Sequence, residues 1–253
     1  MNRQKFFAAF VVLGMTLLTQ FANAQHSDIW LVLDGNQVAV SPTDLSTSEA
    51  VLIDETTGKF LFASDFGEFF GGPFLTDDPG FQSLSSVFTV GSRLNYRVVE
   101  NLRFWNGSYW QASVPDAERV LIEDNDFPAV ITAISDSGVT NSEGFIEEVQ
   151  SNGSVHKHID FTIDNSLGSG LPAFGVYMFE LELLVVDGQG GSVHTESEPF
   201  RIAINFQLSE ADFDEAIAAL TSPAVNVPLP GYALIFLAVL LLISGRIART
   251  VKA

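Results

Sequence analysis

The segment from Val155 to Phe161 contains the residues best suited to chemistry in this sequence. If it is a strand, residues two apart point to the same face, so His156, His158 and Asp160 form a line of potential ligands. Two imidazoles and one carboxylate are a donor set for a zinc-type divalent ion. The alternative is an exposed polar strand face, because a histidine-x-histidine pair alone is a weak pattern.

The chain has 4 histidines, and either of the other two could supply a further ligand. We expect His26 or His194 to complete a set of four. His26 and Asp28 repeat the pairing of histidine with carboxylate close to a predicted mature N-terminus, where a free amine beside a histidine can chelate copper or nickel. The alternative for this pair is the disordered start of a domain.

Two carboxylate clusters offer oxygen ligands for calcium, the alternative metal. They are Asp77-Asp78 and the run from Glu123 to Asp126. Neither has the alternate ligand spacing, central glycine and distal Glu of an EF-hand loop. Turn residues that cap their own backbone are the competing interpretation.

Aromatic residues flank an Asn-Gly turn and give a second candidate function. Trp105, Tyr109 and Trp110 could stack on sugar rings, which would make the protein a carbohydrate- or matrix-binding adhesion module. Cross-strand aromatic pairing inside a hairpin is the competing interpretation.

Motifs typical of catalysis are missing from the sequence. It contains no Gly-x-Ser-x-Gly elbow, no phosphate-binding loop and no His-Glu-x-x-His motif. Cysteine is also absent, which removes thiol nucleophiles, thiolate zinc sites and iron–sulfur clusters. We therefore expect a protein that is not an enzyme.

The charge distribution separates the middle of the chain from its two ends. All 31 acidic residues lie between the two terminal apolar segments, whereas five of the 12 basic residues flank those segments. So acidic a surface repels nucleic acid, attracts cations and favours solubility. Nucleic acid is therefore not an expected partner.

The N-terminus has the three parts of a secretory signal peptide. Arg3 and Lys5 precede an apolar run over residues 6–18, and small residues follow from Ala22 to Ala24. Cleavage by signal peptidase after Ala24 would leave Gln25 as the mature N-terminus.

A second apolar segment, residues 231–245, is followed by Arg246 and Arg249. Fifteen helical residues span about 22 Å, so crossing a ~30 Å hydrocarbon core requires some extension and snorkelling of the arginine. The basic residues favour a cytoplasmic C-terminus with everything upstream outside. Val227-Pro228-Leu229-Pro230 stands just before the segment as an extended, protease-accessible tetrapeptide.

The order of proline motif, short apolar helix and basic end resembles the PEP-CTERM sorting signals that exosortases process. It differs from the usual Pro-Glu-Pro and is similar to the VPLP variant of that signal. The resemblance covers residues 227–253 and implies a Gram-negative-type envelope. It also implies transient anchoring in the inner membrane and cleavage near Pro228 to Pro230 by an exosortase-like membrane protease. The cell surface or extracellular matrix is then the destination, with extracellular polysaccharide as a partner.

Between the ends, the periodicity is mostly that of β-strands, so we expect an all-β sandwich or jelly roll with one short C-terminal helix. Trp30–Leu33 and Gln37–Val40 flank a hairpin turn, and Ser209 with Asp212 forms an approximate capping box for the helix. The other predicted strands are Ala50–Ile53, Lys59–Ala63, Ser86–Val90, Leu94–Val99, Val120–Glu123, Ala129–Ile134, Val155–Ile163, Val176–Val186 and Phe200–Gln207.

Several short blocks resemble a group of envelope proteins that carry PEP-CTERM-type tails, some of them controlled by a zinc-responsive repressor. The blocks are His26-Ser27-Asp28, Leu75–Phe81, Phe104–Gly107, His156–Phe161 and Gly175–Tyr177. This resemblance implies a surface β domain with a role in zinc handling.

The prediction is thus a signal peptide at 1–24, an acidic ectodomain at 25–207, a helix and linker at 208–226, and a sorting signal at 227–253.

Overall fold

The computed structural model of the protein describes residues 28–67 and 71–222, which form β-strands and a single helix. The expectation of a mostly β domain with one C-terminal helix is confirmed. The strands are β1 (Ile29–Asp34), β2 (Gln37–Val40), β3 (Leu52–Ile53), β4 (Phe60–Asp65), β5 (Leu75–Thr76), β6 (Phe81–Ser83), β7 (Arg93–Val98), β8 (Arg103–Trp105), β9 (Trp110–Gln111), β10 (Arg119–Glu123), β11 (Ile131–Ser135), β12 (Gly138–Thr140), β13 (Glu143–Glu148), β14 (His156–Lys157), β15 (Asp160–Asp164), β16 (Gly175–Val186) and β17 (Phe200–Phe206), and the helix is α1 (Glu210–Thr221).

The strands form three sheets within a compact unit that ends at Thr221. The largest has the order β13-β7-β16-β17-β4-β3, with β8 and β9 attached to β16. A second sheet has the order β12-β11-β10-β15-β5, and the smallest has the order β14-β6-β1-β2.

Buried residues from all three sheets form one hydrophobic core. Phe161 of β15 and Phe179 of β16, for example, have ring centroids 5.9 Å apart. The hydroxyl groups of Tyr96 and Thr132 hydrogen-bond at 3.0 Å and join β7 to β11 inside this core. Burial of such aromatic and aliphatic side chains is the main stabilising contribution to a domain without disulfides.

The opposite face of the largest sheet is covered by α1. Because side chains alternate along a strand, Val176 and Met178 of β16 point away from the first core and pack against Phe213 and Ile217 of the helix. The helix begins as its sequence predicts, since Ser209 Oγ accepts a hydrogen bond from the Asp212 amide at 3.3 Å.

The smallest sheet positions the candidate site. Strand β6 lies in its centre, parallel to β1 and antiparallel to β14. Ile29, Leu31 and Phe81 point inward and are fully buried. The residues that alternate with these three along β1 and β6 therefore face outward.

Two predicted strands are wrong. A single strand over Val155–Ile163 does not form, because β14 pairs with β6 and β15 pairs with β10, so the chain changes sheets between Lys157 and Asp160. The segment Ser86–Val90 is a turn region, in which Ser86 adopts a positive φ of 65° and cannot continue a strand.

The predicted signal peptide and the apolar segment 231–245 lie outside the described residues. Within residues 28–67 and 71–222, no helix combines the length and the apolarity needed to cross a membrane.

Candidate metal centre

Asp28, Gly80 and His158 lie in one row across the smallest sheet. The register pairs Phe81 with Ile29 on one side and with Lys157 on the other. Continuing that register by one residue places Gly80 between Asp28 and His158. Since Gly80 has no side chain, the carboxylate and the imidazole meet above it, with Asp28 Oδ1 and His158 Nε2 3.6 Å apart.

The imidazole of His158 is held by the backbone of a neighbouring turn. Its Nδ1 lies 2.9 Å from the carbonyl oxygen of Asp77. A carbonyl oxygen only accepts hydrogen bonds, so Nδ1 carries the proton and donates it. In the neutral ring, Nε2 then keeps its lone pair and faces Asp28. Metal-binding histidines are commonly oriented in this way by a backbone carbonyl.

His156 adds a second imidazole on the same outward face. Its ring centroid is 5.9 Å from that of His158. One ligand atom from each of Asp28, His156 and His158 can be chosen so that all three lie within 4.8 Å of one another. Ligand atoms around one tetrahedral zinc ion lie roughly 3.3 Å apart. His156 is exposed, so closing this difference requires its side chain to rotate toward Asp28 and His158.

The carboxylate of Asp28 is itself oriented by two donors. Its Oδ1 accepts the backbone N–H of Gly80 at 3.2 Å, and its Oδ2 accepts Nε2 of Gln82 at 2.6 Å. Hydrogen bonds of this kind hold a ligating carboxylate in place before the metal arrives.

A second group of ligand atoms comprises Asp77, Asp78 and His158. The nearest carboxylate oxygens lie 3.9 Å (Asp77 Oδ2) and 3.4 Å (Asp78 Oδ1) from Nδ1 of His158. An ion there would have to displace the hydrogen bond from Nδ1 to the Asp77 carbonyl. The group on the Nε2 side needs no such change and is the better site.

Asp160 falls outside both groups, so the straight line of ligands expected from one strand does not form. It lies on β15 opposite Glu123, whereas His156 lies on β14 in another sheet. Asp160 and His158 still line one shallow cavity of about 170 Å³. Burial, and then the charge of Asp77, raise the pKa of the Asp160 carboxyl above its usual range.

The structure does not bring His194 to this cluster. Its Nδ1 lies 3.2 Å from Oδ1 of Asn36, and its ring is 6.1 Å from that of Phe88. His26, the other expected fourth ligand, lies outside the described residues, two positions before Asp28.

The acidic run from Glu123 to Asp126 organises its own loop, as the turn interpretation predicts. The buried carboxylate of Asp124 accepts backbone N–H groups from Asp126, Val130 and Phe145. Asp126 forms an ion pair with Arg93 at 2.7 Å.

The aromatic residues of the Asn-Gly turn pack against α1. Trp105 and Trp110 are cross-strand partners of β8 and β9, and their ring centroids are 5.7 Å apart. Trp105 is buried, and Nε1 of Trp110 donates to the Ala216 carbonyl at 3.1 Å. Of the three aromatic residues expected to stack on sugar, only Tyr109 is exposed.

Sequence reasoning missed Asp28 and Gly80 as partners of His158. Asp28 is indicated by its proximity to His26, and Asp77, Asp78 and Gly80 by the calcium-type acidic pair and by the Leu75–Phe81 block of the resemblance. Asp28 and Gly80 are far from His158 in the sequence. They come together with it only because β1 and β14 both pair with β6.

Comparison of the chain with protein-family models, with curated proteins and with solved structures gave no match.

Proposed function

We propose that this protein binds a divalent transition-metal ion, zinc in the first place, through Asp28, His156 and His158. The observation that carries the proposal is the hydrogen bond from His158 Nδ1 to the Asp77 carbonyl, which leaves Nε2 directed at the Asp28 carboxylate. Two of the three ligands, Asp28 and His158, are thus arranged before any ion binds, which lowers the entropic cost of binding.

The donor atoms favour zinc over calcium. Calcium takes six to eight oxygen ligands, whereas two imidazole nitrogens and one carboxylate suit zinc and its neighbours in the first transition series. Asp77 and Asp78, beside the other edge of the His158 ring, add negative charge that attracts a cation without ligating it. Three protein ligands leave a fourth position, which His26 or water would fill.

The cellular setting of this function is part of the same proposal. The three-sheet unit is a sandwich- or jelly-roll-like ectodomain with a binding role rather than a catalytic one. It is exported by its signal peptide and anchored transiently in the inner membrane by residues 231–245. An exosortase-like protease then releases it to the cell surface or matrix, near extracellular polysaccharide. The charge distribution and the tripartite C-terminus of the sequence support this setting.

The test is a zinc titration of the full-length protein in mild detergent, monitored by calorimetry, with metal content measured after dialysis. The wild-type protein should bind one zinc ion per chain more tightly than calcium. His158→Ala and Asp28→Asn should each weaken zinc binding at least tenfold. His194→Ala is the matched control, because this histidine is outside the cluster.

Asp160→Asn tests whether the third ligand is Asp28, as the structure indicates, or Asp160, as a single strand would predict. We expect the zinc affinity of Asp160→Asn to stay within about twofold of the wild-type value. His26→Ala should lower the zinc affinity if His26 is the fourth ligand. Absence of zinc binding, or zinc binding unaffected by both His158→Ala and Asp28→Asn, would remove the proposal.

A further inference from the structure

We infer that the bound ion cross-links the N-terminal strand β1 to β14 across β6. This cross-link, formed by Asp28, His156, His158 and the ion, is called the clasp below. This inference rests on the proposed metal site and adds a structural consequence of its occupation. It follows from where the three ligands lie in the smallest sheet.

The strands around the site are held by very short ladders. Strand β1 pairs with β6 over three residues, from Ile29 with Phe81 to Leu31 with Ser83. Strand β14 pairs with β6 over only two residues. Few ladder hydrogen bonds therefore hold β1 and β14 to β6. Separation of β1 from β6 is resisted mainly by the longer pairing of β1 with β2 and by the burial of Ile29 and Leu31.

The ligands come from both sides of the central strand. Asp28 immediately precedes β1, His156 lies in β14 and His158 follows it. An ion bound to all three spans β6 at Gly80, where the absence of a side chain makes room for the His158 imidazole. The ion thus links two strands that do not pair with each other.

Opening of β1 would remove Asp28 from the ion and leave only the two imidazoles. Anything that binds the closed form more tightly than the open form disfavours opening by mass action. At a zinc concentration 100 times the dissociation constant, the population of the open form should fall about 100-fold if the two imidazoles alone bind weakly.

The experiment is hydrogen–deuterium exchange of the full-length protein in mild detergent, with and without Zn²⁺, read by mass spectrometry. Peptides that cover β1 and β6 report on opening of the clasp. The β11–β12 hairpin lies at the edge of another sheet and serves as the internal reference. Asp28→Asn keeps both imidazoles but lacks the ligand that belongs to the N-terminal strand.

We expect zinc to slow exchange in β1 more than tenfold, to leave the β11–β12 hairpin nearly unchanged, and to have little effect on β1 in Asp28→Asn. If calorimetry shows zinc binding but β1 exchange slows less than tenfold, the clasp is wrong and the metal site stands. The clasp is also wrong if Asp28→Asn retains the full effect. If zinc does not bind at all, the proposed function and the clasp both fail.

Discussion

Gly80 lies directly against the imidazole of His158: a Cβ atom on Gly80 would come within 2.5 Å of Nε2 and 2.6 Å of Cε1. The same glycine donates its N–H to Asp28 at 3.2 Å. It therefore orients one proposed ligand and makes room for another. Any side chain at this position would occupy the space where the carboxylate and the imidazole meet.

The first prediction is that Gly80→Ala weakens zinc binding at least tenfold. The methyl group would push the His158 ring away and break its alignment with Asp28, and disturbing the groups that orient a metal ligand typically costs 10- to 100-fold in affinity. Calorimetric titration with Zn²⁺ measures the effect.

Gly188→Ala is the matched control for this substitution, because a Cβ at Gly188 would meet nothing within 4 Å. Equal zinc affinity in wild type, Gly80→Ala and Gly188→Ala would contradict the geometry of the site.

A second prediction concerns Gln82, which holds Asp28 without ligating the metal. Its Nε2 donates to Asp28 Oδ2 at 2.6 Å. Gln82→Leu keeps the size of the side chain but removes the donor, so we expect zinc affinity to fall about 10-fold. Gln37→Leu removes a comparable side-chain hydrogen bond, to the Glu196 carbonyl, on an exposed part of the chain. A loss of affinity as large in the control would show that the effect is not specific to the site.

A third prediction concerns a buried ion cluster on the largest sheet. The guanidinium of Arg201 is buried, lies beside Asp54 and donates from Nε to Glu180 at 2.8 Å. Lys59 pairs with the second oxygen of Glu180. Burial lowers the pKa of Arg201 and raises that of Glu180, because it disfavours the charged form of each side chain. The charged forms are therefore stabilised by the ion pairs with neighbouring residues.

Arg201→Met should therefore lower the free energy of unfolding by about 3–5 kcal/mol, because it leaves the buried Asp54 carboxylate without its cation and Glu180 with Lys59 alone. Arg93→Met, which removes the exposed pair with Asp126 and the stacking over Phe145, should cost much less. Urea unfolding measures both. Similar losses in the two variants would indicate that the Arg201 cluster contributes no more than a surface pair.

Local signals in the sequence predicted those parts of the fold that local interactions form. The turn after Asp34 produces the expected hairpin, in which Asp34 pairs with Gln37 and Gly35 adopts a positive φ of 61°. The cap at Ser209 starts the helix. Both structures depend on residues a few positions apart, which periodicity and turn chemistry report directly.

The site could be predicted only in part, because its other half comes from distant pairing. Two of the proposed ligands, His156 and His158, are two positions apart, and the sequence alone predicts them. Asp28 reaches them through a parallel pairing with a strand whose preceding residue, Gly80, is 52 positions away. The expected line through Asp160 fails because strand periodicity does not reveal that the chain changes sheets.

A fourth prediction concerns the pH dependence of stability at Asp44. This side chain is buried, and its Oδ1 accepts Trp30 Nε1 at 3.1 Å and the Ser46 amide at 2.7 Å. Burial alone would raise its pKa, but these hydrogen bonds outweigh burial and hold the pKa of Asp44 below its usual range. Its contribution to stability is therefore present above the unfolded-state pKa of about 3.9 and is lost as the pH falls through the lower folded-state value.

Asp44→Asn should cost on the order of 2 kcal/mol at pH 7, because charge-assisted hydrogen bonds are lost. The difference between the variant and the wild type should start to shrink below about pH 4, where the aspartate of the unfolded chain becomes protonated, and should continue to shrink until the pH is below the folded-state pKa. Urea unfolding across this pH range measures the difference. A difference that stays constant from pH 7 to pH 3 would contradict a depressed pKa.

The fifth prediction separates a structural from a sugar-binding role for the aromatic turn. Trp110 donates from Nε1 to the Ala216 carbonyl of α1 and packs against Trp105 under the helix. Trp110→Phe should lower the free energy of unfolding by about 1 kcal/mol through the lost hydrogen bond, while Tyr109→Phe, at an exposed position, should change it by less than about 0.5 kcal/mol. Thermal unfolding tests both, and affinity electrophoresis through polysaccharide gels tests sugar binding. Retardation that Tyr109→Ala abolishes, without loss of stability, would favour the adhesion role over the packing role.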